Sequence, residues 1–139
     1  MTFIFDLDYT LLDTTQYKKD LIEILGTTEE DFAYFKKRKI NYNVEKHLEL
    51  LSRYDTREIF FKKNAEVINF LKKIDNYLFP EVKNILKKLS RDHKLILITY
   101  GDKDYQELKI KNLEIKKYFK KIIATDQDKS KILEKCNPA

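Results

Sequence analysis

Two aspartates one residue apart follow a short apolar run near the start of the chain, in "FIFDLDYTLLDT", residues 3–14. Like charges this close raise each other's pKa unless a positive charge lies between them. In extended chain, residues i and i+2 face the same side, so Asp6 and Asp8 can address one point in space. The pair is therefore predicted to lie in open water or at a site that holds a cation and does chemistry.

Three short apolar runs are predicted to be the strands that position these carboxylates. Phe3 to Phe5 is bounded by polar residues and is expected to be buried on both faces. Leu95 to Ile98 is an unbroken apolar run, and "KKIIAT", residues 120–125, gives a third short strand. Helical patterns separate the three strands.

The chain divides by pattern into an alternating part and a purely helical part. Residues 1–14 and 77–139 alternate strand and helix, whereas residues 15–76 are predicted to contain helices only. Alternation favours a parallel sheet. The expected fold is therefore α/β, a Rossmann-like three-layer core with a helical block inserted just after the first strand.

Polar residues stand where each predicted strand ends. Asp6 and Asp8 end the first strand, and Thr99 begins the segment "TYGD" that ends the second. Residues 126–129 follow the third strand. Because a parallel sheet places its site at the carboxyl ends of its strands, these side chains are expected to meet there.

Composition restricts the possible environments and partners. The 139 residues include 28 basic and 23 acidic ones, for a net charge of +5, and a single cysteine excludes an internal disulfide framework. The basic run at residues 36–39 is interpreted as a solvated helix end, so no nucleic-acid partner is expected. No apolar run approaches the roughly 18 residues of a membrane span, and no signal-peptide pattern precedes the first strand. We expect a soluble cytoplasmic protein with no membrane partner.

At the motif level the chain resembles the haloacid dehalogenase-like superfamily. "DLDYTLLDT" is similar to its first motif, Asp-x-Asp-x-Thr followed by apolar residues, and "LILIT" ending in Thr99 is similar to its second. A lysine that opens the helix after the third strand resembles the third motif. The resemblance implies a catalytic core formed by residues 1–14 and 77–139 and a helical cap formed by 15–76, with hinges near Thr14 and Tyr77.

The carboxylates would support phosphoryl transfer. A carboxylate can attack phosphorus and form an aspartyl phosphate, and Asp6 is the expected nucleophile. Asp8 would protonate the leaving oxygen and then activate water. Mg²⁺ is expected to bridge the Asp6 carboxylate, the Asp8 carbonyl and the phosphate. Because members that cleave carbon–halogen bonds resemble the first motif without its second aspartate, Asp8 favours phosphoryl transfer over dehalogenation.

The remaining expected site residues would bind the phosphate. Thr99 and the backbone N–H groups of Tyr100 and Gly101 would hold phosphate oxygens, and glycine permits close approach or a positive φ. A lysine would neutralise the developing charge. Lys129 is favoured over Lys131 because it opens the helix after Asp128.

The predicted function is Mg²⁺-dependent hydrolysis of a small phosphorylated metabolite. The alternatives are a non-catalytic binding or interaction module that kept the fold and a phosphomutase that uses the same intermediate. Tyr34, Tyr42, Tyr54 and Phe61 would either line a substrate pocket or fill a small helical core. His47 is interpreted as a surface residue.

One family feature is absent from the sequence. The superfamily has a fourth motif, a further strand that ends in acidic residues and supplies the remaining metal ligands, whereas this sequence stops at "KCNPA". In the family that strand pairs with strand one, which would otherwise be a bare apolar edge. The sequence is expected to be a fragment, to receive the strand from a second chain, or to be a degenerate member.

Overall fold

Three parallel strands form the centre of the protein in a computed structural model that describes residues 1–136. The strands are β1 (Thr2–Phe5), β2 (Lys94–Tyr100) and β3 (Lys121–Thr125), in the order β1-β2-β3. In the register of the sheet Phe5 lies opposite Leu97, and Leu97 lies opposite Ile122. The predicted parallel sheet is confirmed, and the carboxyl ends of all three strands meet at one edge.

Helices occupy most of the rest of the described chain. Between β1 and β2 lie α1 (Thr14–Leu25), α2 (Glu29–Lys37), α3 (Val44–Leu51), α4 (Arg57–Lys72), a 3₁₀ turn (Ile74–Tyr77) and α5 (Val82–Asp92). Between β2 and β3 lie α6 (Lys103–Lys111) and a second 3₁₀ turn (Glu114–Tyr118), and α7 (Lys129–Cys136) follows β3. The order of elements confirms the α/β, Rossmann-like fold class. Among residues 1–136, no helix is long and apolar enough to cross a membrane.

The strands differ in how deeply they are buried. Leu95 to Ile98 of β2 are each almost fully buried, as their unbroken apolar run predicts. By contrast, Ile4 of β1 is 40% exposed, so the prediction that this strand is buried on both faces was wrong. The reason is topological: within residues 1–136, β1 is an edge strand that pairs with β2 alone.

A tight turn carries the chain from β1 into α1. The amide groups of Leu11 and Leu12 both donate to the carbonyl oxygen of Leu7, at 3.0 Å each. Asp13 then caps α1, because its carboxylate accepts from the amide of Gln16 at 3.2 Å. The turn places Asp8 and the residue after it over the carboxyl end of the sheet.

Both ends of the helical segment between β1 and α5 lie side by side. The amide of Asp13 donates to the carbonyl of Tyr77 at 2.7 Å, and the amide of Phe79 donates to the carbonyl of Leu11 at 3.1 Å. These backbone bonds join the points where the chain enters and leaves the helices. They lie at the positions where the sequence predicts hinges.

The helices and the sheet share one hydrophobic core. Leu95 and Leu97 of β2 belong to the same cluster as Tyr17 and Leu21 of α1 and Phe70 of α4. Burial of apolar surface is the main stabilising contribution to folding. The helical segment therefore depends on the sheet for part of its core.

Candidate active site

Asp6, directly after β1, forms an ion pair with the first residue of α7. Its Oδ1 accepts from Nζ of Lys129 at 2.7 Å and from the amide of Leu7 at 2.9 Å. Both side chains of the pair remain partly exposed. Of the two lysines weighed from the sequence, Lys129 is thus the one that contacts Asp6, while Lys131 is exposed on the same helix.

Thr99 lies near the end of β2, at the edge of the sheet where this ion pair is found. Phe5 and Leu97 are opposite each other in the register, so Asp6 and Thr99 follow them at the same edge of the sheet. The Thr99 hydroxyl is buried and has no hydrogen-bond partner among the residues that the structure describes. An unpaired buried hydroxyl is costly, and an oxyanion bound beside Asp6 would supply the missing partner.

Asp8 is held by three donors from two helices. Lys109 donates to Oδ1 at 2.7 Å, Thr14 donates to the same oxygen at 3.1 Å, and Gln106 donates to Oδ2 at 2.9 Å. Burial alone would raise the pKa of Asp8, but the charge of Lys109 and the three hydrogen bonds lower the pKa below its ordinary value. Asp8 is therefore a carboxylate in this conformation.

Lys109 is a buried cation and a site residue that sequence reasoning missed. Its side chain is 3% exposed, and its Nζ lies 5.5 Å from the ring centre of Tyr17 and 5.2 Å from that of Tyr105. Burial lowers its pKa, whereas Asp8 opposes that shift. The two neighbouring aspartates thus have a lysine each, which offsets the repulsion that their spacing creates.

A spacing signal could have identified Lys109. Tyr105 and Lys109 are four residues apart on α6, and such residues share one helix face. Because Tyr105 is buried, the face of α6 that carries it points into the protein. Lys109 lies on the same face and is therefore buried too. Gln106, which was also missed, lies on the adjoining part of that face.

Gly101 makes room for the Gln106 side chain. Its φ is +150°, and a Cβ at this position would come within 2.7 Å of Nε2 of Gln106, the atom that donates to Asp8. The expected positive φ is observed, and the group that approaches Gly101 closely is the Gln106 side chain. The Gly101 amide donates to the carbonyl of Thr125 at 2.9 Å, so in this conformation it is bonded within the protein and not free for a phosphate.

Tyr9 has an unfavourable backbone conformation beside Asp8. Its φ is +63°, a region that residues other than glycine, asparagine and aspartate rarely occupy. The hydroxyl of Thr14 accepts from the Tyr9 amide at 2.9 Å, and Lys18 donates to the Tyr9 hydroxyl at 2.8 Å. The Tyr9 side chain is 59% exposed, and that of Tyr100, after Thr99, is also exposed.

Asp102 connects the site to the helical segment. As the N-cap of α6 it accepts from the amide of Tyr105 at 2.9 Å, and it also accepts from the side-chain amide of Asn43 at 2.9 Å. Lys46 forms a longer ion pair with it. Tyr17 and Tyr105 join the same two parts through their hydroxyl groups, 2.6 Å apart.

The aromatic residues considered for a pocket divide into two groups. Tyr42 contacts Phe32 and lines a cavity beside Asp8. Tyr54 is 87% exposed and Phe61 is also exposed, so neither lines that cavity or fills a core. His47 is buried against Tyr42, which corrects its interpretation as a surface residue; burial lowers its pKa.

The oxygen atoms available for a metal ion are few. Among residues 1–136, no group of three or more histidine, cysteine, aspartate or glutamate side chains is arranged to hold one. Mg²⁺, however, commonly keeps several waters and binds through one or two carboxylates and substrate phosphates. The Asp6 carboxylate and the Asp8 carbonyl fit such a partial set. Asp128 accepts from the amide of Ser130 at 2.9 Å and caps α7.

Fold and site together define an α/β enzyme with its acidic centre at the carboxyl ends of parallel strands. The family model described as haloacid dehalogenase-like hydrolase matches residues 3–136. The chain therefore belongs to the haloacid dehalogenase-like hydrolases, and the predicted family and enzyme class are confirmed. No curated protein sequence matches the chain significantly.

Solved structures with a similar fold come from several bacteria. A haloacid dehalogenase-like hydrolase of Burkholderia xenovorans shares 20% identity at a TM-score of 0.71, covering 99% of this chain and 68% of its own. A family member from Xanthomonas campestris shares 19% at 0.59, covering 96% and 65%. A protein of Clostridium difficile that is assigned as a phosphatase shares 17% at 0.52, covering 99% and 71%. The chain thus spans about two thirds of the length of these structures.

Proposed function

We propose that this protein hydrolyses phosphomonoesters of small metabolites through an aspartyl-phosphate intermediate. The observation that carries the proposal is the Asp6–Lys129 ion pair at the sheet edge where Thr99 also lies, whose buried hydroxyl has no partner among residues 1–136. A phosphoryl group in front of Asp6 would accept from Thr99 and from Lys129. Positioned donors of this kind stabilise the negative charge that develops on transferred phosphoryl oxygens.

In the first step, a carboxylate oxygen of Asp6 attacks phosphorus. The bond between phosphorus and the ester oxygen breaks, and its electron pair stays on that oxygen, which takes a proton from Asp8. In the second step, water attacks the phosphorus of the aspartyl phosphate. Its proton passes to the Asp8 carboxylate, and the carboxylate of Asp6 is released with inorganic phosphate.

Asp8 occupies a position suited to the second step. It is held as a carboxylate by Lys109, Gln106 and Thr14, and a carboxylate is the form that can accept a proton from water. To act as a general acid in the first step, Asp8 must first take up a proton from solvent and must exchange at least one of these hydrogen bonds. The geometry therefore favours substrates whose leaving group needs little protonation.

Mg²⁺ is proposed as the cofactor. The Asp6 carboxylate and the Asp8 carbonyl would hold it together with the phosphate. When bound, the ion supplies positive charge that offsets the negative phosphate oxygens. The backbone amide of Tyr100 would donate a hydrogen bond to the phosphate. The Gly101 amide could do so only after its hydrogen bond to the Thr125 carbonyl is broken.

Residues 15–76 are proposed to act as a cap over the substrate. Two contacts support this role: Asn43 binds Asp102, and Tyr17 binds Tyr105, both at the carboxyl end of β2. The exposed edge of β1 is proposed to pair with a strand of a second chain, since an unpaired apolar edge is prone to such pairing.

The test is phosphate release from a panel of phosphomonoesters with and without Mg²⁺. Asp6→Asn should abolish turnover with the fold intact, and Lys129→Met should reduce kcat more than the matched control Lys131→Met. A non-catalytic binding module would release no phosphate, and a phosphomutase would transfer the group to a second hydroxyl. Equal turnover by Asp6→Asn and the unmodified protein would remove Asp6 from the role of nucleophile.

A further inference from the structure

A cavity of about 250 Å³ lies directly beside the Asp8 side chain. Gly101 and Lys109 also border it. Its aromatic side chains come from α1, α2, β2, α6 and the loops before α1 and α3: Tyr9, Tyr17, Phe32, Tyr42, Tyr100 and Tyr105. Because Asp8 borders the cavity, a leaving group that Asp8 protonates would lie in it.

The polar atoms of the wall are largely paired with one another. The hydroxyl groups of Tyr17 and Tyr105 bind each other, and the Tyr42 hydroxyl binds Nδ1 of His47 at 2.9 Å. Lys109 binds Asp8. The aromatic part of the wall therefore offers mainly ring surfaces to an occupant, beside the polar side chains of Lys18 and Asn41.

The Gln106 side chain has one polar atom of the cavity wall that is not paired. Its Nε2 donates to Asp8 and to the carbonyl of Tyr100, both at 2.9 Å. Its Oε1 is the buried side-chain polar atom of this wall that lacks a partner within residues 1–136. A polyhydroxylated occupant would exchange many hydrogen bonds to water for few in this cavity, which is unfavourable.

The wall is also rigid and, at Tyr9, strained. Phe32 and Tyr42 stack at a centroid distance of 4.3 Å, which fixes both rings. Tyr9 keeps its side chain at the cavity although its φ of +63° is unfavourable for a tyrosine. Strain of this kind is typical of sites where it serves binding or catalysis.

The size of the cavity is sufficient for one ring. A volume of 250 Å³ corresponds to the liquid share of about eight water molecules. Flat aromatic groups bind well between aromatic side chains, with offset or edge contacts. Lys18, bonded to the Tyr9 hydroxyl, places a cation at the entrance.

We propose that the cavity binds the leaving group of the substrate and that this group is a single aromatic ring. The inference rests on the proposed phosphomonoester hydrolysis and specifies its substrate class as monocyclic aromatic phosphomonoesters. Tyr9, Phe32 and Tyr42 are the specificity-determining residues.

The experiment compares benzyl phosphate with a hexose phosphate esterified at its primary hydroxyl. Both are phosphates of primary alcohols, so their intrinsic reactivity is matched and a difference reports recognition. We expect kcat/KM for benzyl phosphate to be greater by about tenfold, the effect of one to two good ring contacts. Equal values, or a preference for the hexose phosphate, would overturn the proposal.

Tyr9→Gly is the most informative variant because it removes the ring and also relieves the strain at φ +63°. It should retain or raise the melting temperature while lowering the ratio of kcat/KM for benzyl phosphate to kcat/KM for the hexose phosphate. Tyr54→Leu, at an exposed position outside the cavity, is the matched control. It should change neither the melting temperature nor the ratio of the two kcat/KM values. Equal losses on both substrates in Tyr9→Gly would contradict a role in specificity.

Binding of benzylphosphonate, which cannot be hydrolysed, separates the two proposals. If neither ester is turned over, the proposed function fails. The proposal of an aromatic-ring site is then tested by the binding of benzylphosphonate alone. Binding that shifts the NMR signals of Phe32 and Tyr42 and weakens in Tyr9→Gly would support an aromatic-ring site. Absence of binding, or binding insensitive to Tyr9→Gly, would overturn it.

Discussion

Asp6 and Asp8 lie one residue apart, and a different lysine binds each carboxylate. Lys129 contacts Asp6 at the partly exposed front of the site, and Lys109 contacts Asp8 in the interior. The front pair is accessible to a substrate phosphate, whereas the inner pair is enclosed by aromatic rings. The two carboxylates are thus prepared for different roles by their surroundings.

The inner pair gives a prediction on stability. Lys109→Met would leave Asp8 without its cation, and breaking a buried pair costs about 3 kcal/mol at the low end of the usual range. The low end of the range applies because the Asp8 side chain is 21% exposed to solvent. Urea denaturation measures the change in the free energy of unfolding.

A double variant provides the control for that prediction. Lys109→Met combined with Asp8→Asn removes both charges, so it should lose less stability than the sum of the two single changes. Additive losses would show that the two side chains do not stabilise each other.

The lowered pKa values of two aspartates predict a loss of stability in acid. Hydrogen bonds and Lys109 lower the pKa of Asp8 despite its burial, and hydrogen bonds from Tyr105 and Asn43 with the charge of Lys46 do the same for Asp102. A carboxylate with a folded pKa below its unfolded value of 3.8 stabilises the fold above that pH, and the contribution is lost as pH falls through the folded pKa. The free energy of unfolding should therefore decrease below about pH 4.

Asp8→Asn tests the share of Asp8 in this acid sensitivity. The difference in the free energy of unfolding between neutral pH and pH values below about 4 should be smaller in the variant. An unchanged difference would mean that Asp8 contributes nothing to the acid dependence.

At the residue scale, some site residues could be predicted from the sequence and others could not. Asp6, Asp8, Thr99 and Lys129 stand next to strand ends, and a parallel sheet brings strand ends together whatever the packing details. Lys109 is one of several lysines on α6, and its burial depends on how that helix packs against Asp8. Local pattern alone does not determine such a contact.

At the element scale, α3 and α6 are joined through their caps. Asn43 caps α3 by accepting from the amides of Glu45 and Lys46, and its side chain donates to Asp102, the cap of α6. One residue thus connects the helical segment with the loop that follows Thr99. A change at Asn43 is expected to affect both helices.

Asn43→Ala is predicted to destabilise the protein more than loss of a cap alone. A lost N-cap costs about 1 kcal/mol, and loss of the buried bond to Asp102 adds a similar amount. Thr56→Ala, which removes the exposed cap of α4, is the matched control. Equal changes in the free energy of unfolding for the two variants would show that the bond to Asp102 contributes nothing.

The edge strand β1 also gives a prediction. Ile4 is exposed on it, and charged residues on an edge strand prevent pairing with another chain. Ile4→Lys should therefore reduce concentration-dependent association in analytical ultracentrifugation. Ile68→Lys, at an exposed apolar position of α4, is the control, and a reduction seen only with that variant would place the association elsewhere.

At the element scale the sequence predicts the three strands and their parallel arrangement well. The apolar run of β2 is long enough to be buried on both faces, and β2 is indeed the central strand. The same type of run in β1 is only partly covered. The sequence of a strand determines which side chains could be buried. Their actual exposure depends on which other strands and helices pack against that strand.

At the scale of the whole molecule, the helical segment and the sheet are parts of one core. The change of pattern near Thr14 and Tyr77 predicts an inserted helical block, and the family resemblance implies that this block is a cap. In the structure, backbone bonds join those two positions, and the apolar cluster continues from β2 into α1 and α4. A change of pattern marks an insertion, but it does not show how much core the inserted helices share.

The central claim for the whole molecule is covalent phosphoryl transfer through Asp6. The most direct measurement is peptide mapping by mass spectrometry after the protein has reacted with benzyl phosphate and Mg²⁺ and has been quenched in acid. We predict a phosphoryl group on Asp6 and none in Asp6→Asn. Phosphate release without any label on Asp6, or a label on another residue, would contradict the claim.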